Sequence, residues 1–251
     1  MASAQLALFQ ARIEQRAFWR SPDYALFTFA LPVVLLVVLG STNRGDVIPG
    51  SHVRAVTVLV PSVIAFGVVV AAYANLATKL ASLRHDGVLK RMRTTPLEPR
   101  IYLAGSLLST LVTTLVIALV TAGIGTIAFD ASPRAGGWPA LVIGLLVGIT
   151  CFASLGLAIS AVVPSVEAAG PITNASYLPA AIVSGVFDPT LELPRWLSHV
   201  MGALPIRPLA DVLESAYQQG ARGIPGTQLG VLALWTALGL VLAVRLFKWE
   251  P

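Results

Sequence analysis

Six long apolar runs divide the chain, and the short segments between them hold nearly all of its charge. A helix needs about 20 apolar residues to cross a bilayer, and its backbone groups must pair within the helix because the hydrocarbon core holds no water. The runs therefore predict an all-α integral membrane protein with six transmembrane helices. They cover residues 24–39, 55–77, 101–129, 138–163, 168–187 and 228–247.

The composition agrees with this class and excludes several others. Hydrophobic residues make up 56% of the 251 residues and charged residues only 12%, whereas about a quarter of the residues in a soluble domain carry charge. One cysteine and three histidines exclude a disulfide scaffold and a cysteine-rich metal site. Because the runs leave no room for a large soluble domain, we expect a single transmembrane domain over residues 1–251 with no cofactor of its own.

The distribution of Lys and Arg predicts which ends of the spans face the cytoplasm. With six spans, both termini share one side with the segment 79–100. That side holds eleven basic residues, of which six lie in this segment, against six on the other side. Since positive loops stay inside, we expect a multi-pass cell-membrane protein with cytoplasmic N- and C-termini. The excess of positive charge is a topology signal, and no nucleic-acid partner is expected.

Residues 2–20 are expected to form an amphipathic helix at the membrane surface. One face is apolar at helical spacing, and arginine recurs at every fourth position beside it, which suits contact with lipid headgroups. The apolar positions are Leu6, Phe9, Ile13 and Ala17, and the basic positions are Arg12, Arg16 and Arg20.

Two connections are too elaborate to be simple links. The cytoplasmic segment 79–100 places an apolar strip among basic residues before Pro96, which suits docking into the groove of a soluble partner; a basic lipid anchor is the alternative.

The outer segment 188–215 is apolar but divided by prolines into pieces of about 10 residues, too short to cross the bilayer. We expect short re-entrant helices there, with an ordinary interfacial loop as the alternative.

Together these segments resemble the permease subunits of type 2 ATP-binding-cassette exporters, of the drug- and antibiotic-export kind, over essentially the whole chain. The most specific part is Leu83-Arg-His-Asp-Gly-Val-Leu-Lys-Arg-Met-Arg-Thr-Thr-Pro, and Ser184-Gly-Val-Phe-Asp-Pro is second. The resemblance implies a homodimer or heterodimer of permeases and a separate ATPase that binds ATP and Mg²⁺. It also implies that the cytoplasmic segment couples to this ATPase. The coupling residues would be Arg84, Asp86, Gly87, Leu89, Lys90, Arg91, Met92, Arg93 and Pro96.

The absence of catalytic motifs agrees with that resemblance. None of the three lysines follows a glycine, so the chain has no Gly-x-x-x-x-Gly-Lys phosphate loop. No carboxylate lies in the middle of a predicted span, which removes the usual residues of a proton-coupled carrier. We therefore expect a transport subunit and not an enzyme, with energy supplied by its partner.

Polar residues within the spans are few, and some of them are candidates for lining a transport pathway. Pro171 and Pro179 are expected to interrupt the fifth span, and a break there would leave backbone groups facing a cavity; packing between helices is the alternative reading. The candidate pathway residues are Tyr73, Asn75, Thr173, Asn174, Ser176, Tyr177 and Phe187.

A pathway without buried charge favours amphiphilic or lipid-like cargo, such as a drug, an antibiotic or a lipid, and export of an antibiotic would confer antibiotic resistance. Export of a polysaccharide or another lipid-linked polymer is the second interpretation. The third is a membrane-embedded assembly subunit that moves nothing. ATP-dependent movement of cargo in vesicles would distinguish a transporter from the third.

Overall fold

The computed structural model describes residues 2–48, 52–87, 99–185, 187–188, 194–218 and 223–246. This part of the chain is helical and contains no strand, only an isolated bridge between Val47 and Arg54. In chain order its α-helices are α1 (Ala2–Arg20), α2 (Pro22–Thr42), α3 (Ala55–Val68), α4 (Leu76–His85), α5 (Pro99–Phe129), α6 (Trp138–Val162), α7 (Val166–Val183), α8 (Arg195–Ala203), α9 (Ile206–Glu214) and α10 (Gly226–Leu246). The predicted all-helical fold is confirmed.

Five helices in the described ranges are long and apolar enough to cross a membrane. They are Ala25–Thr42, Ala55–His85, Arg100–Phe129, Trp138–Val162 and Gly226–Leu246. The remaining predicted span corresponds to α7, an 18-residue helix whose hydropathy is lowered by Glu167, Asn174 and two prolines. The chain is therefore a multi-pass membrane protein with five candidate spans in its described part, and α7 is a less apolar helix.

The second span is longer than its apolar run. A π-helical segment, Val69–Asn75, joins α3 to α4, so that one helix extends from Ala55 to His85. Residues 79–85, which the sequence placed in the cytoplasmic segment, continue this helix. The helix ends at His85, and Gly87, two residues later, has a φ of 66°, the left-handed conformation that commonly follows a helix and favours glycine.

The predicted interruption of the fifth span is wrong, because α7 runs unbroken through Pro171 and Pro179. Each proline removes one backbone donor and so leaves one carbonyl, that of Glu167 or Ala175, without its partner in the helix; transmembrane helices tolerate such single losses. Two hydroxyl side chains of α7 also bond to other carbonyls of the same helix. In α7 the Thr173 hydroxyl donates to the Gly170 carbonyl at 3.2 Å. The Ser176 hydroxyl donates to the Thr173 carbonyl at 2.6 Å.

The second span forms the centre of the bundle, and α9 packs into the bundle beside it. On α6, Gly144 packs against the side chains of Val212 and Leu213, and Gly148 packs against the side chain of Leu209. The Gly-x-x-x-Gly step therefore makes a close helix contact within one subunit. Gly148 is the eleventh residue of α6, and each residue adds about 1.5 Å to the length of a helix. The contact with α9 therefore extends to about 15 Å from the N-terminal end of α6.

The N-terminal helix α1 packs against α5 through a polar face that its sequence pattern did not predict. The buried carboxylate of Glu14 accepts a hydrogen bond from Lys79 at 2.5 Å, and Lys79 also donates to the Ser106 hydroxyl at 3.0 Å. The Gln15 amide donates to the hydroxyls of Ser109 and Thr113. The apolar residues Leu6, Phe9 and Ile13 remain exposed on another side.

Candidate functional site

An apolar cleft of about 290 Å³ lies between the π-helical segment, α6, α7, α10 and the corner that joins α8 to α9. Three of the predicted pathway residues, Tyr73, Ser176 and Tyr177, line it. The other described residues of its wall are apolar side chains and Trp235, and none of them is charged. The cleft opens at the surface of the bundle, where Val162 is 55% exposed.

Two hydroxyl groups in the cleft are joined by a hydrogen bond. The oxygens of Tyr73 and Ser176 are 2.6 Å apart. Because the single Ser176 proton is donated to the Thr173 carbonyl, the Tyr73 hydroxyl donates to Ser176. Both oxygens retain lone pairs that can accept a hydrogen bond from a molecule in the cleft.

A row of aromatic rings extends from the cleft along the second span. Tyr73 and Tyr177 have ring centroids 6.1 Å apart, and Tyr177 is 6.1 Å from Phe66. Phe187 ends the row, 5.0 Å from Phe66. These spacings are typical of favourable aromatic pairs. Phe187, predicted as a pathway residue, thus packs on the second span and does not line the cleft.

Three other predicted pathway residues also lie away from the cleft. The Asn75 amide donates to the Thr28 hydroxyl at 3.1 Å, in a separate cavity beside α1. Thr173 is buried and bonds to its own helix, while Asn174 is exposed. Successive helical residues point about 100° apart, so the polar cluster on α7 faces several directions.

The π-helical segment and Gly156 set the shape of one wall. A Cβ atom at Gly156 on α6 would lie 3.0 Å from the Tyr73 carbonyl oxygen and 3.1 Å from that of Ala72. The two backbones therefore approach more closely than a larger residue permits. π-helical turns occur frequently at functional sites, and this one carries Tyr73.

The start of the predicted coupling segment is attached to the C-terminal end of α6. The Arg84 guanidinium donates to the Ala161 carbonyl at 3.0 Å and to the Val163 carbonyl. A cation at a helix C-terminus satisfies carbonyls that have no partner in the helix and interacts favourably with its dipole. Ala81, Val163 and Ala169 pack beside it as a small buried cluster.

Of the other predicted coupling residues, the structure describes only two. Asp86 and Gly87 form the turn that ends the second span. The other predicted coupling residues, Leu89, Lys90, Arg91, Met92, Arg93 and Pro96, lie outside the described residues.

Sequence reasoning missed two residues that shape the site. Trp235 donates from its indole nitrogen to the Ala203 carbonyl at 2.7 Å, which attaches α10 to the α8–α9 corner. The signal was a tryptophan in mid-span, where its N–H needs a partner. The second is Gly156, whose role could be recognised only once the neighbours of α6 were known.

In the described part of the chain, no three His, Cys, Asp or Glu side chains lie together as a metal site.

Comparison with known proteins gives a family match. Residues 6–217 match the family model described as the ABC-2 type transporter, a range that includes α9 and most of the cleft wall. A search of curated proteins found no match to this chain.

Proposed function

Because the chain belongs to the ABC-2 type transporter family, we propose that it is the permease subunit of an exporter that moves amphiphilic or lipid-like molecules out of the cell. The observation that supports this cargo is the cleft, which is largely apolar, carries the hydroxyl groups of Tyr73, Ser176 and Tyr177, and has no charged residue in its described wall. Such a lining accepts an apolar body. A charged polymer would lose its hydration there without compensation.

In this proposal the energy comes from a separate ATPase, which the family implies as partner and which binds ATP and Mg²⁺. A second permease, identical or related, completes the export path. Leu89 and Met92 serve as apolar anchors in a groove of the ATPase. Lys90, Arg91 and Arg93 steer the approach electrostatically. Arg84 passes the movement of this segment to α6, which lines the cleft.

We also propose the six-span topology, with α7 as the fifth span and α8–α9 as a re-entrant pair. The loops that this topology places outside lie at one end of the bundle, where Arg54 donates to the Asp130 carbonyl at 2.6 Å. The Arg134 backbone N–H donates to the Ala216 carbonyl at 2.9 Å at the same end. Arg84 meets the end of α6 at the opposite end. Helix α7 joins the two ends, and its 18 residues extend about 27 Å.

Cysteine labelling tests this topology. A cysteine introduced at Arg93 or at Glu250 should react only with reagent added from the cytoplasmic side, and one at Trp196, which is 68% exposed, only from outside. The native Cys151 is buried, so the unmodified protein supplies a low background. Labelling of the Trp196 position from the cytoplasm would overturn the six-span arrangement.

A variant that fills the cleft tests the transport route. Ala158→Phe, at a buried wall position, is expected to lower ATP-dependent export of a fluorescent amphiphile from vesicles by about tenfold, the rate change that 1.4 kcal/mol produces. The matched control, Ala233→Phe, lies at an exposed position of α10 and should leave export unchanged.

The same vesicles test the function itself. The permease and its ATPase should together move the amphiphile only when ATP is supplied. If no amphiphile moves, or if both phenylalanine variants export at the full rate, the cleft is not the route and the proposal fails.

A further inference from the structure

A second cavity, of about 400 Å³, lies at the end of the bundle that the six-span topology places outside. It adjoins the apolar cleft, because Leu204 and Ile206 of the α8–α9 corner line the cleft and the next residue, Arg207, lines this outer cavity. Its wall is largely polar, in contrast to that of the cleft. The polar wall residues are Ser184, Asp188, Ser198, Arg207, Glu214 and Gln218.

The positive charge in this outer cavity is already paired. Arg207 lies 2.8 Å from the carboxylate of Asp211 and donates to the Ser184 carbonyl at 3.1 Å. Glu214 is a further carboxylate in the wall. Among the described residues no cation forms an ion pair with Glu214, so this carboxylate has no positive counter-charge bonded to it in the described part of the wall.

Glu214 is the most unusual of these groups because it is 93% buried and yet faces the cavity. It is 7% exposed, and one carboxylate oxygen accepts a single hydrogen bond from Ser62 at 3.2 Å. The other oxygen has no hydrogen-bond partner in the described part of the chain. Burial raises the pKa of Glu214 to about 7, with Arg207 opposing the shift and Asp211 adding to it. A buried carboxylate in this state is costly unless a cation or a proton compensates it.

We propose that the outer cavity binds the ammonium head group of a cationic amphiphile, with Glu214 as its counter-charge, when the molecule leaves the apolar cleft. This inference rests on the proposed function, because it assigns a head-group chemistry to the same cargo. An ammonium group donates the hydrogen bonds that a carboxylate and serine hydroxyls accept. The volume suffices for such a group together with several waters, each of which occupies about 30 Å³.

The protonation of Glu214 makes the binding depend on pH. The groups around it are Arg207 and Asp211 on α9, Ser62 on α3, and Asp188. Arg134 also contacts the end of α9, donating to the Ser215 carbonyl, and the Gln228 amide on α10 lies near Asp211. Only the ionised carboxylate attracts a cation, so affinity should be full above the pKa of Glu214 and fall as the pH drops through about 7.

Calorimetry on the purified permease in maltoside detergent tests the site, with the heat of binding to empty micelles subtracted. At about pH 8, octylammonium is expected to bind at least about tenfold more tightly than octanol, since one close charge pair is commonly worth that much or more. Glu214→Gln should reduce this preference to near unity. The matched control, Asp130→Asn, removes an exposed carboxylate at the same end and should preserve it.

The wild-type pH profile supplies a second readout that needs no substitution. The preference for octylammonium should shrink between about pH 8 and pH 6, because Glu214 takes up a proton in that range. Equal binding of the two probes, or an undiminished preference in Glu214→Gln, would overturn the proposal. These measurements need no ATPase, so a loss of transport in vesicles would reject the proposed function separately.

Discussion

Alanine at Arg84 is expected to leave the permease bound to its ATPase but to slow cargo movement about tenfold while ATP hydrolysis continues. The guanidinium joins the last turn of the second span to the Ala161 and Val163 carbonyls at the end of α6. Hydrogen bonds from a charged group contribute about 1.5–3 kcal/mol, enough to keep the two helices moving together. Without them, a push on the cytoplasmic segment no longer reaches the cleft wall.

The measurement compares hydrolysis, transport and association in the reconstituted complex. Arg84→Lys keeps the charge but loses the planar fork that contacts two carbonyls, so it should rescue only part of the coupling. Arg100→Ala, at an exposed position that begins the next span, is the matched control and should couple normally. Leu89→Ala and Met92→Ala should instead weaken association, by about 1–2 kcal/mol each. Full coupling in Arg84→Ala would contradict the proposed link.

The hydrophobic pattern located most of the helices because a bilayer demands a minimum apolar length. Four of the six runs agree with the ends of α2, α5, α6 and α10 to within three residues. The predicted family is likewise confirmed. It was predictable because the motifs that resemble it lie in continuous stretches of sequence. These features depend only on local composition and order.

The second span shows why its end was not predictable. Hydropathy falls at Thr78 and Lys79, yet the helix continues to His85 because these polar groups find partners. Thr78 donates to the Ala74 carbonyl at 2.9 Å, and Lys79 pairs with Glu14 on a helix 65 residues away. A partner so distant in sequence leaves no trace in the local pattern.

The sequence predicted candidate polar residues for the pathway, but it could not predict which of them line one cleft. Tyr73 and Ser176 meet across 103 residues, and the sequence contains no indication of that pairing. Asn75 and Asn174 are similar in polarity to the residues that line the cleft, but they face other directions. The fold decides which hydroxyl or amide faces the cavity, and therefore which residues a molecule in it would contact.

Alanine at Gly137 is expected to lower the stability of the permease by about 1–3 kcal/mol, the usual cost of forcing extra atoms into a packed site. A Cβ atom there would lie 2.1 Å from the Ala216 carbonyl oxygen and 2.8 Å from its carbon, so main chain must move. Gly137 has φ −88° and ψ −16°, which any residue adopts, so the effect comes from the contact and not from backbone strain.

The neighbouring glycine is the matched control. A Cβ atom at Gly136 meets only the Arg134 guanidinium at 3.8 Å, so Gly136→Ala should leave the melting temperature of the detergent-purified permease close to that of the wild type. Gly137→Ala should lower it, and should also disturb the hydrogen bond from the Arg134 backbone to Ala216 that fixes the end of α9. Since α9 carries Arg207 and Glu214, the same variant should weaken octylammonium binding. Equal melting temperatures for the two alanine variants would show that α9 is not held at this point.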